Sequence, residues 1–215
     1  MKFLTEAGQQ ALEDAVEAVE AQSAAEIVIA IRPRARYALT QHAMVGIVCA
    51  IAILAFTLYS DVEFALWHIL VLPIFAGILG ALIVEAAPPL YRFLEPPWLR
   101  HEHVREAAYA AFVERGVHAT RDRTGILIYV ALRERMVEIV ADLEVLDAVG
   151  IETLAAWSGT LEAQVPRGAL AFATVLRELA RQLGKALPPR SDDTNELGNA
   201  VHVFGAPPRH RKVVA

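Results

Sequence analysis

The chain is poor in cysteine and, over a long middle stretch, nearly empty of charge. Cys49 is the single cysteine in 215 residues, which excludes an intrachain disulfide. It lies inside an apolar run, where a thiolate would be expensive, so a catalytic thiol is disfavoured as well. A formal charge of −5 and a pI near 5.8 leave no basic footprint for nucleic acid. There is no Gly-rich phosphate loop, no Gly-x-Ser-x-Gly elbow and no Cys/His set at zinc spacing. Trp157-Ser158-Gly159 lacks the strand–turn–helix context of a nucleophile elbow, so Ser158 reads as a surface helix residue. The chain opens on an acidic amphipathic stretch, not on a basic segment followed by an apolar one, so no signal peptide is expected. No internal repeat is visible.

What is present is apolar length. From Tyr37 to Ser60, and again from Phe64 to Val84, there is no Asp, Glu, Lys or Arg. A helix of about 20 residues crosses a bilayer core of about 30 Å. The two runs are joined by Ser60-Asp61-Val62-Glu63 and predict a transmembrane helical hairpin. A soluble helix normally keeps a solvated stripe, and these runs have none. The composition, 55% hydrophobic with a mean hydropathy of +0.38, points the same way. Tyr59, Trp67 and Tyr91 stand near the ends of the runs, as interfacial aromatics do, and Pro73 and Gly77 are tolerated in lipid-embedded helices. Arg32, Arg34 and Arg36 precede the hairpin and Arg92 and Arg100 follow it, whereas the turn has no cation. The positive-inside rule then places both termini in the cytoplasm.

The flanks read as two parts of one small α/β domain, 1–36 and 101–187, neither large enough for a core alone. Between them lie the hairpin, 37–85, and a proline-rich link, 86–100, with a flexible tail at 188–215. Leu12, Ala15, Val16 and Val19 recur at helical spacing, with Thr5 as a plausible N-cap. Glu26 to Ile31 is a nearly continuous apolar run, as in a strand covered on both faces. His101 to Glu114 reads as a helix, and Thr124 to Leu132 and Met136 to Ala141 read as strands. The short Arg133-Glu134-Arg135 link makes those two strands an antiparallel hairpin. Helices are expected at Leu143–Val149, at Glu152–Gln164 and from about Pro166 to Gly184.

This order, with Glu26-Ile27-Val28-Ile29, Arg123-Thr124-Gly125-Ile126-Leu127-Ile128, Glu134 to Asp142, Leu187-Pro188 and Asp193-Thr194-Asn195-Glu196-Leu197, resembles the TPM domain family. The resemblance covers about three quarters of the chain outside the hairpin. Members with a transmembrane insertion after the first strand look particularly similar. It implies a small α/β/α sandwich with a mixed sheet, here interrupted by the transmembrane hairpin, in a bacterial inner membrane protein. One departure is Ala24-Ala25-Glu26, where the family usually has a glycine before the acidic residue. Some members have been called acid phosphatases, others bind calcium-like ions, and plant members are linked to repair of a photosynthetic membrane complex. Most familiar members place the domain outside the cytoplasm, whereas the arginines here place it inside.

Carboxylates at strand ends are the best site candidates. Asp142 closes its strand, where an open α/β sheet tends to place its crevice. Glu26 opens the first strand, at the opposite end from Asp142 unless the two strands run oppositely. Glu134 lies between Arg133 and Arg135, and Asp192, Asp193 and Glu196 can supply oxygen ligands. Together they suit a hard divalent cation such as Ca²⁺ or Mg²⁺. Taken singly, each is better explained as a helix cap, a surface ion pair or part of a solvated tail. His101-Glu102-His103 offers two imidazoles, but residues two apart on a helix point to different faces. Two functions stay open: an interaction or assembly module for a membrane partner protein, with the bilayer as its second partner, or a metal-dependent phosphatase at the membrane surface. The absence of a convergent nucleophile or metal set favours the first.

Overall fold

A computed structural model describes residues 3, 5–32, 39–86, 96–189, 197 and 201–203. They belong to two compact units, Met1–Ala35 with His101–Ala215, and Arg36–Arg100. Among the described residues the fold is mixed α/β and mostly helical, with seven α-helices and a mixed sheet.

In the first unit, helix α1 (Glu6–Glu20) starts at the expected cap, where Thr5 Oγ1 accepts the Gly8 N–H at 3.2 Å. Strand β1 (Glu26–Arg32) is buried from Glu26 to Ile31, as its unbroken apolar run requires. Helix α4 (Pro97–Glu114), which belongs to this unit from His101 on, begins earlier than the His101 read from sequence. Proline fits a first helical position because its missing N–H has no intrahelical partner there, and Leu99 N–H donates to the Pro96 carbonyl at 3.1 Å. Residues 87–95 of the expected link lie outside the described residues. Strands β2 (Gly125–Ala131) and β3 (Met136–Ala141) form the expected antiparallel hairpin. Helices α5 (Leu143–Val149) and α6 (Ile151–Glu162) follow. Pro166 falls in a separate 3₁₀ turn, Val165–Arg167, so helix α7 (Ala169–Ala186) starts after it.

The strand order is β3-β2-β1, with a two-residue strand β4 (His202–Val203) beyond β1. β1 and β2 are parallel from Glu26↔Gly125 to Arg32↔Ala131. β4 runs parallel to β1 at Ala30↔His202 and Ile31↔Val203. That pairing departs from the expected flexible tail: its partner is remote in sequence, so no local pattern announces it.

Alternation along the strands sends side chains to two cores. Ile27, Ile29, Ile126, Ile128, Val130 and Val137 meet α1, α6 and α7 through Leu12, Val16, Trp157, Leu161, Phe172 and Leu176. Val28, Ala30, Leu127, Tyr129, Ala131 and Val140 meet α4 through Val104, Ala108, Ala111 and Phe112. Helices therefore cover both faces of the sheet. Ile139 is only half-buried because β3 is an edge strand. Two of that edge's N–H groups are taken by α6: Val137 N–H by Glu162 Oε2 at 3.4 Å and Ile139 N–H by Ser158 Oγ at 3.1 Å. Ser158 thus satisfies an edge that would otherwise be open to pairing with another chain.

In the second unit, helices α2 (Leu39–Tyr59) and α3 (Leu66–Ala86) pack side by side across a turn at 60–65. Their backbones approach closely at glycine. A Cβ on Gly46 would lie 2.8 Å from the Gly77 carbonyl oxygen, and Gly80 faces Cys49. Away from this seam the helices present apolar side chains outward, Leu70 at 69% and Phe75 at 66% exposure. Leu66–Ile83 is long and apolar enough to cross a membrane, with a mean hydropathy of 2.3 and 6% of the stretch buried. Ala43–Tyr59 is a shorter apolar stretch.

Candidate functional site

The sheet topology decides which candidate residues meet. β1 and β2 are parallel and β3 opposes β2, so the start of β1 and the end of β3 share one end of the sheet. Glu26 and Asp142 are therefore at the same end, on strands that flank β2. That end is the amino end of the parallel pair, opposite the carboxyl-end crevice expected for Asp142. Glu134, in the β2–β3 turn, sits at the carboxyl end, apart from both.

At the amino end, Asp142 is 5% exposed and caps α5. Its Oδ1 accepts the Leu143 N–H at 2.7 Å and lies 3.1 Å from Arg123 Nε. Its Oδ2 is buried and accepts no hydrogen bond among the described residues. Arg123 adopts a left-handed φ of 56°, its N–H donating to the Thr120 carbonyl at 3.2 Å. Glu26 is 7% exposed, and its Oε2 accepts the Leu197 N–H at 3.1 Å. Gly125 lies between the two acids in the sheet, and the Val117 backbone packs directly on it; a Cβ at Gly125 would strike the Val117 carbonyl. Backbone thus covers the strand that separates the two carboxylates.

At the carboxyl end, Glu134 is 4% exposed. Tyr129 is fully buried, and burial pushes its hydroxyl up to about 12; Glu134 and Glu114 add to the rise and Arg32 opposes it. Arg32 Nη2 pairs with Glu114 Oε2 at 3.6 Å. Arg115 Nη1 lies 3.2 Å from His202 Nδ1. Burial, and then the Arg115 charge, hold His202 below the usual histidine range, so its neutral ring accepts this bond. On β3, burial raises the Glu138 carboxyl above its usual range, against the pull of Arg105 and His101.

Asp192, Asp193 and Glu196 lie outside the described residues. Among the described residues no three His, Cys, Asp or Glu side chains gather to hold a metal ion. Glu26, Asp142 and Glu134 do not fit a Ca²⁺ or Mg²⁺ cage among themselves, and no step through such an ion follows. A small cavity of about 20 Å³ lies between the sheet and α6 and α7, lined by Ile126, Ile139, Trp157 and Leu161 among other apolar groups. With no polar lining it is a dry packing gap, without the convergent polar groups of a binding pocket. Sequence reasoning missed the Leu197–Glu26 and Arg115–His202 contacts. Each joins groups far apart in the chain.

No protein-family model and no curated protein sequence matches the chain. The fold is similar to a solved structure described as the NMR structure of BA42 protein from the psychrophilic bacteria Bizionia argentinensis sp. nov.. The likeness has a TM-score of 0.55 at 16% identity and covers 94% of this chain and 95% of that one. At that identity the likeness is one of fold.

Proposed function

We propose that the protein is a membrane-anchored, TPM-like α/β/α domain that acts as an interaction or assembly module for a membrane partner protein. The observation that carries this reading is the α2–α3 pair, whose outward side chains are apolar and exposed while its small residues form the seam. Helices that meet through small residues and show large apolar groups outward suit lipid on the outside. The arginines before and after the hairpin, and the acidic turn, support a cytoplasmic domain with the turn outside. Tethering confines the domain to the membrane plane and raises its effective concentration near a partner there. The buried acids have structural work that fits a binding module: Asp142 caps a helix and Glu26 holds a backbone N–H.

The test is purification in detergent after membrane extraction. The protein is expected in the membrane fraction, with a second membrane protein in stoichiometric amount and negligible phosphatase turnover with added Mg²⁺, Mn²⁺ or Ca²⁺. Robust phosphoester hydrolysis that is lost in a folded Asp142→Asn variant would overturn the module and establish the phosphatase alternative.

A further inference from the structure

We infer that the first turn of α4 is a second membrane anchor, in which Trp98 sits among the headgroups of the cytoplasmic leaflet and Arg100 binds a lipid phosphate. This deepens the membrane-anchored reading and rests on it. Residues as far as Arg100 belong to the unit that contains the apolar helices, and the sheet unit resumes at His101. The opening turn of α4 is therefore part of the hairpin's unit, although the later turns bury Val104, Ala108 and Ala111. The three arginines of that unit, Arg36, Arg92 and Arg100, all lie outside α2 and α3, and the acidic turn has none.

Two side chains select lipid as the occupant. Trp98 is 66% exposed. An indole, with an apolar body and one N–H donor, suits the bilayer interface, where one side is apolar and the other wet. Arg100 is half-buried, and its Nε is shielded from water and donates no hydrogen bond among the described residues. The positions three and four residues on, where an intrahelical partner would stand, are His103 and Val104 and offer no carboxylate. A shielded guanidinium calls for an anion, and phosphate oxygens match its planar fork. Pro96 and Pro97 fix the chain direction into this turn. The Leu99 and Arg100 N–H groups both donate to the Pro96 carbonyl, at 3.1 and 3.2 Å. Side chains two apart diverge around a helix, but each leans toward its N-terminus. A helix standing on its first turn therefore lowers both the indole and the guanidinium toward the surface beneath it.

The probe is the full-length protein in nanodiscs of phosphatidylcholine, alone or mixed with phosphatidylglycerol. The emission of Trp98 is the difference between wild type and Trp98→Phe. Phosphatidylcholine with brominated acyl chains should quench most of that difference. Arg100→Gln should lower the preference for retained phosphatidylglycerol over phosphatidylcholine roughly fivefold, the effect of one basic residue at an anionic surface. Trp98 emission that brominated lipid leaves untouched would overturn the anchor. So would an unchanged lipid preference in Arg100→Gln. The two levels separate. An unquenched Trp98 in a protein that stays in the membrane fraction rejects the second anchor and keeps the hairpin. Recovery in the soluble fraction, with Trp98 quenched by added brominated vesicles, rejects the hairpin and keeps the lipid contact. Neither readout depends on a co-purifying protein, so the module stands or falls separately.

Discussion

The two units place the same kinds of side chain on opposite sides. In the sheet domain Ile29, Ile31, Leu127 and Phe172 point inward and are sealed from solvent, while among the described residues the charged groups other than Glu26, Glu134 and Asp142 reach the surface. In the α2–α3 pair the glycines and Cys49 are inside, and Ile47, Leu70 and Phe75 face out. Apolar burial drives the first arrangement, because water is the solvent it avoids. It cannot drive the second, in which large apolar groups stay exposed and close backbone contact holds the helices together. The proposed membrane hairpin would account for that difference by giving the second unit lipid as its solvent.

The largest expected effect lies in the sheet domain. Ile128→Ala removes a side chain enclosed by sheet and helices and should destabilise this unit by about 2–5 kcal/mol in denaturant unfolding. A wild-type melting temperature in that variant would show that the inward packing is misassigned.

Tyr129 gives the next effect. Its hydroxyl is held at about 12 against an ordinary 10.0, so the folded state favours the protonated ring. A raised pKa means the contribution is fully present below pH 10 and is lost as pH climbs towards 12. Stability should fall by roughly 2–3 kcal/mol across that window. Tyr129→Phe should flatten that part of the pH profile, and an unchanged profile would contradict the burial of the hydroxyl.

In the hairpin the ranking of large and small side chains should invert. Gly46→Val drives a Cβ against the Gly77 carbonyl and should cost about 1–3 kcal/mol of helix-pair stability in detergent titration. Ile47→Leu, one residue along on the exposed face, should change nothing measurable. Equal effects at the two positions would place the seam elsewhere. The smallest measurable loss is expected from Asp142→Ala, a lost N-cap worth about 1 kcal/mol. That variant should still fold, with a lowered melting temperature.

What could be read from the sequence follows how local each signal is. Thr5 as a cap, the β-branched runs of β1 and β2, and the tight β2–β3 link each depend on neighbouring residues and are visible in a short window. Pro97 was equally visible, but a proline pair reads as a break until the helix that starts on it is seen. The relation of Glu26 to Asp142 was not legible, because it turns on whether β1 lies parallel to β2 across the apolar insertion. The helix-capping role open to Asp142 was readable from its place before Leu143, and the Arg123 contact was not. β4, Leu197 on Glu26 and His202 on Arg115 join residues from distant parts of the chain, which have no shared local pattern.

The claim that two solvents shape one chain is tested most directly by topology in cells. Dual reporters fused after Arg36, Asp61 and Arg100 distinguish the two faces of the membrane, and the sequence positions bracket both apolar helices. The account predicts a cytoplasmic signal at Arg36 and Arg100 and an external one at Asp61. A cytoplasmic signal at all three, or opposite faces at Arg36 and Arg100, would contradict it.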